Sequence, residues 1–307
     1  MPFVPELPDV SVYVERLSAH LVGQRLTAFR LPKPFLVRTF EPPLEAAVGR
    51  RVLGFQRIGK RIVVELEGEL FLVLHLMIAG RLHLGDLGKK LPGRIGLLGI
   101  DFERASLTLT EAGSKRRASL HVVSGRAGLS AFSRGGVEPL EANLSEFSAA
   151  LQRENRTLKR ALVDPTILSG VGNAYSDEIL HRARLSPLKR TSGLSGEELS
   201  RLFAATQSTL LEWLQRLQRE VGDGFPEKVT AFRPEMAVHG KFKQPCPVCG
   251  TAVQRIVYAA NECNYCPRCQ TEGKVLADRA LSRLLNKDFP RRIEDLEELA
   301  AARARDV

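Results

Sequence analysis

The chain has 307 residues, a hydrophobic fraction of 44% and a formal net charge of +10 at neutral pH. This length accommodates about two domains, each with a hydrophobic core of its own. The sequence has no apolar run of about 18 residues, which argues against a membrane-spanning helix. Acidic residues interrupt the N-terminal stretch, which does not resemble a signal peptide, so we expect a cytoplasmic protein.

The positive charge suits a polyanionic partner, because each neutralised phosphate releases counterions. A solvated basic surface would account for the same composition. Charge by itself therefore leaves nucleic-acid binding as one of two interpretations.

The first predicted element is an amphipathic helix over residues 9–22, with Asp9 as the expected N-cap. Its apolar residues recur at helical spacing near one face: Val10, Val12, Val14, Leu17 and Leu21. Residues 51–123 instead contain short β-branched or apolar stretches separated by turns with Gly and Glu. This pattern predicts several antiparallel strands in a sandwich or barrel.

Residues 124–143 are rich in Gly and Ser and contain a Pro, which predicts a domain boundary. Residues 145–220 have the apolar spacing of several helices. A loop over residues 222–245 leads into a cysteine cluster, and a tail with a helical pattern follows to Val307. We therefore expect an α+β protein with several domains.

All five cysteines fall between Cys246 and Cys269. Cys246-x2-Cys249 is followed, after 16 residues, by Cys266-x2-Cys269. Each pair brings two thiolates to one side of a metal, and two pairs complete a tetrahedral, structural zinc site. Unligated thiols or a redox pair are the alternative. Cys263 lies outside this spacing and is expected to be a spare thiol.

A second motif, Gly170-Val171-Gly172-Asn173, predicts a tight turn followed by a helix that starts at Asn173. Free N–H groups at a helix N-terminus bind phosphate well. Several basic residues precede the turn: Arg153, Arg156, Lys159 and Arg160. A plain helix–turn–helix hairpin would use the same glycines, so both interpretations stay open.

Further short motifs stand in a specific order along the chain. They are Pro5-Glu6-Leu7-Pro8, Gly59-Lys60 at the start of a strand, His75-Leu76 before a Gly-containing turn, Leu158-Lys159 placed 11 residues before the glycine motif, and Cys266-Pro267-Arg268-Cys269-Gln270. Together they resemble the formamidopyrimidine-DNA glycosylase / endonuclease VIII family of DNA repair glycosylases, over nearly the whole chain.

The resemblance implies an N-terminal helix plus antiparallel β-sandwich, a helix–two-turn–helix domain and a C-terminal zinc-finger hairpin. We expect the catalytic domain over residues 1–130, a linker over 131–144, the helical domain over 145–235, the zinc finger over 236–275 and a helical extension over 276–307. The implied activity is removal of oxidised or ring-opened bases, with abasic-site lyase activity. The expected partner is double-stranded DNA with damaged bases or abasic sites. A nucleoid-associated monomer of bacterial type with one zinc per chain is also expected.

Carried over residue by residue, the resemblance implies three catalytic residues. Pro5 is the nucleophile, Glu6 the acid/base beside it, and Lys60 contacts the phosphate and the damaged site. A secondary amine without an acyl group can attack the sugar C1′ of a flipped-out nucleotide and leave an iminium, as a lysine amine does in a Schiff base. A carboxylate then moves the protons that strand scission requires.

The implied DNA contacts are Lys159 and Asn173 on backbone phosphates, with His75, Arg117 and Asn261 as further contacts. Plain structural roles compete with three of these assignments. Lys60 also fits a basic strand edge, His75 a hydrogen-bonded core histidine, and Lys159 a solvated helix face. Pro8 and Asp9 most simply start and cap a helix.

As written, Pro5 is an internal amide without a free amine, and the implied mechanism needs that amine. Our hypothesis is that translation starts at Val4, since a GUG codon reads as Met when it initiates. Removal of that Met would then free Pro5. Removal of Met1 would instead expose Pro2, which has no neighbouring Glu.

The chain also departs from the family pattern in the finger and in two strand loops. Asn261 stands where the family usually carries a phosphate-binding Arg. The residues that fill the gap left by the flipped base are loosely defined: Met77 or Ile78 in the first loop, and Arg116 or Arg117 in the second, where Ala118 replaces a common aromatic.

These departures keep an alternative open, namely a non-catalytic protein that binds damaged or branched DNA on the same scaffold. A third interpretation, a zinc-ribbon RNA-binding protein, agrees with the charge and the cysteines. It gives no role to Pro5–Asp9 or to the glycine motif. The resemblance implies that the loop over residues 222–240 occupies the region where the family contacts the extruded base.

Overall fold

A computed structural model describes residues 4–113, 115–227, 229, 233–258, 261–276, 290–296 and 298. The chain divides into two compact units, Met1–Gly136 with Leu210–Ala231, and Val137–Thr209 with Phe232–Val307. Within the described part of the chain, no helix is long and apolar enough to cross a membrane.

The first unit begins with helix α1 (Leu7–Leu21), whose N-cap is Glu6. Asp9 was expected to be the cap, but it occupies the third helical position and forms a capping box with Glu6. The helix starts earlier because Pro8 fits in the first turn, where its missing N–H has no partner to satisfy. The predicted apolar face is confirmed, since Val10, Leu17 and Leu21 are fully buried.

Two four-stranded antiparallel sheets follow, and they form the predicted sandwich. One sheet has the order β1-β6-β7-β5 and the other the order β2-β3-β4-β8. The strands are β1 (Leu26–Arg30), β2 (Val52–Ile58), β3 (Arg61–Leu66), β4 (Leu70–His75), β5 (Gly80–Asp86), β6 (Gly96–Phe102), β7 (Ala105–Glu111) and β8 (Ser119–Ser124). Short 3-10 turns at Pro34–Leu36 and Leu44–Ala47 lie between β1 and β2.

The alternation of side chains along β3 separates two apolar clusters. Ile62, Val64 and Leu66 belong to the main core, which also contains residues of α1 and of the other sheet. Val63 points to the opposite face, where it joins a smaller cluster with Leu129 of α2 (Gly125–Ser130). Successive residues of a strand face opposite sides of the sheet, so one strand contributes to both clusters.

The second unit contains helices α3 (Leu144–Gln152), α4 (Leu158–Val163), α5 (Asn173–Arg182) and the start of α6 (Gly196–Val221). Asn143 and Glu146 form a capping box at the start of α3. The cysteine-rich part is a hairpin of β9 (Gln254–Tyr258) and β10 (Asn261–Tyr265), followed by the short helix α7 (Pro267–Thr271). The helical domain and the finger hairpin are thus as predicted.

After α7, the chain pairs with a segment from the C-terminal tail. Lys274 and Arg292 form an antiparallel bridge, and Val275 N–H donates to the Arg291 carbonyl. Ile293 of this segment is fully buried. The helices predicted for the tail fall largely on residues 277–289 and 299–307, which lie outside the described residues.

Replacing the fully buried Leu17 with Ala should lower the free energy of unfolding of the first unit by about 2–5 kcal/mol, because a cavity remains in the core. The single tryptophan, Trp213, belongs to this unit, so urea unfolding followed by its fluorescence measures the change. Val22→Ala is the matched control: Val22 is 46% exposed, and its loss should cost far less. Equal losses in the two variants would contradict the assigned core.

Candidate functional site

Pro5 and Glu6 stand at the start of α1, and both are buried. Glu6 N–H donates to Asp9 Oδ2 at 3.0 Å, and the Glu6 carboxylate accepts the Asp9 backbone N–H. The carboxylate that follows Pro5 is therefore held at a helix N-terminus. In the printed chain, the nitrogen of Pro5 forms an amide with Val4.

Lys60 lies in the two-residue turn between β2 and β3, and Gly59 supplies the positive φ of 60° that this turn requires. His75 ends β4 and pairs across the sheet with Arg61. Burial, followed by the nearby Arg61, Lys60 and His121, lowers the pKa of His75 to about 4. His75 is therefore neutral near pH 7.

The loop between β7 and β8 is held by Glu111, a residue that sequence reasoning missed. Its buried carboxylate accepts the backbone N–H groups of Arg117 at 3.0 Å and Ala118 at 3.2 Å. The Arg117 side chain is exposed, whereas Ala118 is fully buried in the main core. A small residue at position 118 thus packs inside the sandwich.

The loop after α6 is attached to α1 and β5 within the first unit. Arg16 donates to the carbonyl of Gly224 at 3.0 Å, and Arg81 Nε donates to the carbonyl of Val229 at 2.8 Å. The rings of Tyr13 and Phe225 lie 5.6 Å apart. Residues 228 and 230–232 of this loop lie outside the described residues.

In the second unit, Lys159 occupies the interior and not the solvated face that was considered for it. Its side chain is 4% exposed, and Nζ donates to the Asn173 carbonyl at 2.7 Å, to Ser176 Oγ at 2.7 Å and to Asp177 Oδ1 at 2.6 Å. An ammonium has only three N–H donors. These hydrogen bonds tie Lys159 to the first turn of α5, and its expected phosphate contact stays a prediction.

Asp177 is fully buried at the centre of this arrangement. Besides Lys159, its carboxylate contacts His239 Nδ1 at 2.8 Å and accepts the Asn264 backbone N–H at 3.1 Å. Burial raises the pKa of Asp177, but the charge of Lys159 and the hydrogen bond from His239 outweigh burial, so this pKa lies below its ordinary value. The carboxylate is therefore ionised and fully partnered near pH 7.

Glu178 anchors the segment that leads into the cysteines. Its carboxylate accepts the backbone N–H groups of Ala237 at 2.8 Å, Val238 at 2.9 Å and His239 at 2.9 Å. Burial outweighs these hydrogen bonds and raises the pKa of Glu178.

Asn173, Asp177 and His181 follow one another at intervals of four residues, so they lie along one face of α5. Asn173 Nδ2 donates to the Glu262 carbonyl at 2.9 Å, and Asp177 binds Asn264 in the same strand, β10. His181 Nε2 lies 3.3 Å from Cys246 Sγ. This face of α5 thus makes three polar contacts with the cysteine-rich part.

The four predicted cysteine ligands are brought together, and their sulfurs all lie within 4.8 Å of one another: Cys246, Cys249, Cys266 and Cys269. The Cys246–Cys269 sulfurs are 3.9 Å apart and the Cys249–Cys266 sulfurs 3.4 Å apart. Zn–S bonds of about 2.3 Å in a tetrahedron place sulfurs about 3.8 Å apart, so the cluster fits zinc. It forms one structural zinc site, and four thiolates leave no position for a reacting water.

Burial also acts on two thiols of this cluster. It raises the pKa of the Cys269 thiol to about 11 and raises that of Cys266 as well, so bare thiolates are disfavoured there. A divalent cation offsets this cost, because it binds the deprotonated form. Cys263 is buried outside the cluster, as expected of a spare thiol.

Asn261 is the first residue of β10, and its backbone pairs with Tyr258. Its side chain lies outside the described part of the structure, so its predicted DNA contact stays a prediction.

Three family models match successive parts of the chain. They describe the formamidopyrimidine-DNA glycosylase N-terminal domain (residues 4–121), the formamidopyrimidine-DNA glycosylase H2TH domain (residues 136–222) and the zinc finger found in FPG and IleRS (residues 243–271). A formamidopyrimidine-DNA glycosylase of Thermus thermophilus is 34% identical over 284 residues, which cover 88% of this chain and 100% of that protein.

The chain belongs to the formamidopyrimidine-DNA glycosylase family.

Other relatives agree with this membership. An uncharacterized formamidopyrimidine-DNA glycosylase-like protein of Mycobacterium tuberculosis is 39% identical over 150 residues, which cover 49% of this chain and 93% of that protein. The crystal structure of MutM (Fpg) from Thermus thermophilus has a TM-score of 0.73 and 32% identity, over 87% of this chain and 98% of that one. Lactococcus lactis Fpg in complex with FAPY-dG-containing DNA has a TM-score of 0.77 and 25% identity, over 87% of this chain and 100% of that one.

The residues that sequence reasoning missed are Glu111, Asp177, Glu178 and His181. Glu111 and Glu178 bind backbone N–H groups, which carry no residue-type signal. Asp177 and His181 bind side chains that only the fold brings close. The spacing of Asn173, Asp177 and His181 was visible in the sequence, but polar residues at helical spacing are also typical of a solvated face.

Asp177→Asn should lower the free energy of unfolding by about 3–5 kcal/mol at pH 7, because Lys159 is left buried without its counter-ion. The folded-state pKa of Asp177 is depressed, so its contribution is present above the unfolded value of about 3.8 and is lost as the pH falls further. Calorimetric unfolding between pH 7 and pH 3 measures this effect. The difference in free energy of unfolding between Asp177→Asn and wild type should become smaller below about pH 4. Asp223→Asn removes a fully exposed carboxylate and is the control. A pH-independent difference would contradict this role.

Cys266→Ser should abolish stoichiometric zinc binding, because a tetrahedral site loses one of its four ligands. Metal analysis of the purified protein should give one zinc per chain for wild type and close to none for this variant. Cys263→Ser removes a buried thiol outside the cluster and should retain the zinc. Full zinc content in the Cys266 variant would refute the ligand set.

Proposed function

We propose that this protein is a DNA base-excision repair glycosylase with abasic-site lyase activity, acting on oxidised or ring-opened bases through a Schiff base on Pro5. One observation carries the proposal: the match to the family's N-terminal domain starts at residue 4, directly before Pro5-Glu6. The buried, capped position of Glu6 supports it, because the carboxylate beside the proposed amine is held in place.

The proposed chemistry needs only groups of the chain itself. The secondary amine of Pro5 attacks C1′ of a flipped-out nucleotide, and the bond from C1′ to the base breaks, with its electron pair leaving on the base. The amine proton is lost, the bond between C1′ and the sugar ring oxygen breaks, and an iminium forms between Pro5 and C1′. Loss of a proton from C2′ then expels the 3′ phosphate and cleaves the strand.

Glu6 is the proposed group that moves these protons. It donates to the sugar ring oxygen as the ring opens and accepts the proton that leaves C2′. Lys60 is proposed to contact the phosphate and the damaged site from the turn between β2 and β3. The zinc takes no part in these steps, because four thiolates complete its coordination.

The proposed substrate is double-stranded DNA with a damaged base or an abasic site, bound by a monomer. Lactococcus lactis Fpg forms complexes with abasic-site DNA and with FAPY-dG-containing DNA, which supports this substrate class. The net charge of +10 favours a polyanion.

The proposed contacts with DNA divide between the two units. Asn173 at the start of α5 is proposed to bind a backbone phosphate, together with the backbone N–H groups there. His75, Arg117 and Asn261 are proposed as further contacts. Lys159 is proposed to act indirectly, through its hydrogen bond to the Asn173 carbonyl.

We further propose that the active protein has Pro5 as its first residue, through initiation at Val4 and removal of the initiator Met. When Val4 precedes Pro5, the nitrogen of Pro5 is part of an amide. Its lone pair is delocalised into the carbonyl and cannot attack C1′. If residues 1–4 are retained, the same amide favours the second candidate, a protein that binds damaged or branched DNA without catalytic activity.

We also propose the domain boundaries expected from the sequence, at residues 130, 144, 235 and 275.

Borohydride trapping separates the two candidates. Protein that begins at Pro5 should form a covalent adduct with a duplex that contains an abasic site or an oxidised purine, because borohydride reduces the iminium to a stable amine. Protein that retains residues 1–4, verified by intact mass, should bind the same duplex without an adduct. An equal yield of adduct from both forms would place the nucleophile elsewhere in the chain.

Two variants of the protein that begins at Pro5 sharpen this test. Pro5→Gly replaces the secondary amine with a primary one in a flexible residue, and the adduct yield should fall strongly. Glu6→Gln keeps the side-chain volume but removes the acid/base, and turnover should fall on the order of 10²–10⁴-fold with DNA affinity nearly unchanged. The intact mass of protein made from the native transcript tests the proposed initiation at Val4. A protein that keeps Met1 throughout would overturn this proposal.

A further inference from the structure

His181 is a buried imidazole for which the proposed chemistry has no use. It lies on α5, is 6% exposed and faces the zinc site with its Nε2 atom 3.3 Å from Cys246 Sγ. Cys246 is itself 2% exposed, so water has little access to this sulfur. The pair joins residues that are 65 positions apart in the chain.

We propose that His181 is a positioning residue of the zinc site, which donates a hydrogen bond from Nε2–H to the thiolate of Cys246. A zinc-bound cysteine has lost its proton, so its sulfur can only accept. The ring nitrogen must therefore be the donor. This bond orients Cys246 and stabilises the negative charge of the zinc-bound sulfur, which helps the site retain the metal.

The geometry separates this role from direct ligation. Among the described residues, the group of metal-binding atoms that all lie close to one another consists of the four cysteine sulfurs, and His181 is not part of it. Four thiolates already complete a tetrahedron. His181 thus contacts a ligand and not the metal.

The hydrogen bond also joins the zinc site to the helix that begins with Asn173. Asn173 and Asp177 bind the strand β10, and His181 binds the first cysteine, all from one face of α5. Zinc holds Cys246 and the finger hairpin together. Loss of the hydrogen bond should therefore weaken zinc retention without removing a ligand.

His181→Phe removes the donor and keeps an aromatic ring, whereas His181→Gln keeps an N–H donor on a flexible side chain. The rate of zinc release to a chromogenic chelator should rise on the order of 10–100-fold in His181→Phe, the usual effect of losing a ligand-orienting partner. His181→Gln should restore much of the retention. His20→Phe, at an exposed position on α1, is the matched control and should behave as wild type.

Replacing zinc with cobalt gives an absorption spectrum that reports on the sulfur ligands. A packing defect alone would leave this spectrum unchanged. The sulfur-to-cobalt charge-transfer band should shift in His181→Phe and return towards the wild-type position in His181→Gln. An unchanged band together with an unchanged rate of zinc release in His181→Phe would overturn the proposal.

If His181→Phe does not fold, a measurement on the wild-type protein tests the hydrogen bond. With cadmium-113 in place of zinc, the Nε2-bound proton of His181 should show a scalar coupling to the metal, transmitted through the hydrogen bond and Sγ of Cys246. A resolved Nε2 proton without this coupling would refute the bond. None of these measurements depends on glycosylase activity, so the proposal stands or falls separately from the proposed function.

Discussion

The carboxylate of Asp177 is the interaction on which the organisation of the second unit depends. It is fully buried and receives Lys159 of α4, His239 from the loop before the cysteines, and the backbone N–H of Asn264 in β10. Burying a charge of each sign is costly, and the cost is offset only when every partner is in place. One charged group therefore fixes two helices, a loop and a strand in a single arrangement.

The zinc finger needs this support because its own apolar core is small. Val238, Val253, Cys246 and Cys266 make up its cluster of buried residues. A core of this size cannot offset the loss of backbone entropy, and a metal supplies the missing free energy. Glu178 adds three hydrogen bonds to the segment that enters the finger. The helix α5 thus carries the contacts that a larger core would otherwise provide.

The first unit is organised differently, by apolar packing between two sheets and α1. Its polar residues act at the ends of elements. Glu6 caps α1, and Glu111 holds the loop that carries Arg117. The carboxylate proposed to move protons is also the carboxylate that starts the helix, so the fold places it before any substrate binds. In this unit, apolar packing forms the sandwich, and the residues proposed for the chemistry lie at the ends of elements.

The sequence by itself determined the zinc ligands, the strands, the helix α1 and the family, because cysteine pairs, alternation and ordered motifs are local signals. Tertiary structure alone showed the surroundings of Lys159: its residue type suits a phosphate, yet its ammonium is buried and donates to Asn173, Ser176 and Asp177. The same holds for His75, which burial and neighbouring cations keep neutral. It also holds for His181, whose partner is 65 residues away. Burial and the charge of distant neighbours decide what a polar side chain does, and neither can be read from local spacing.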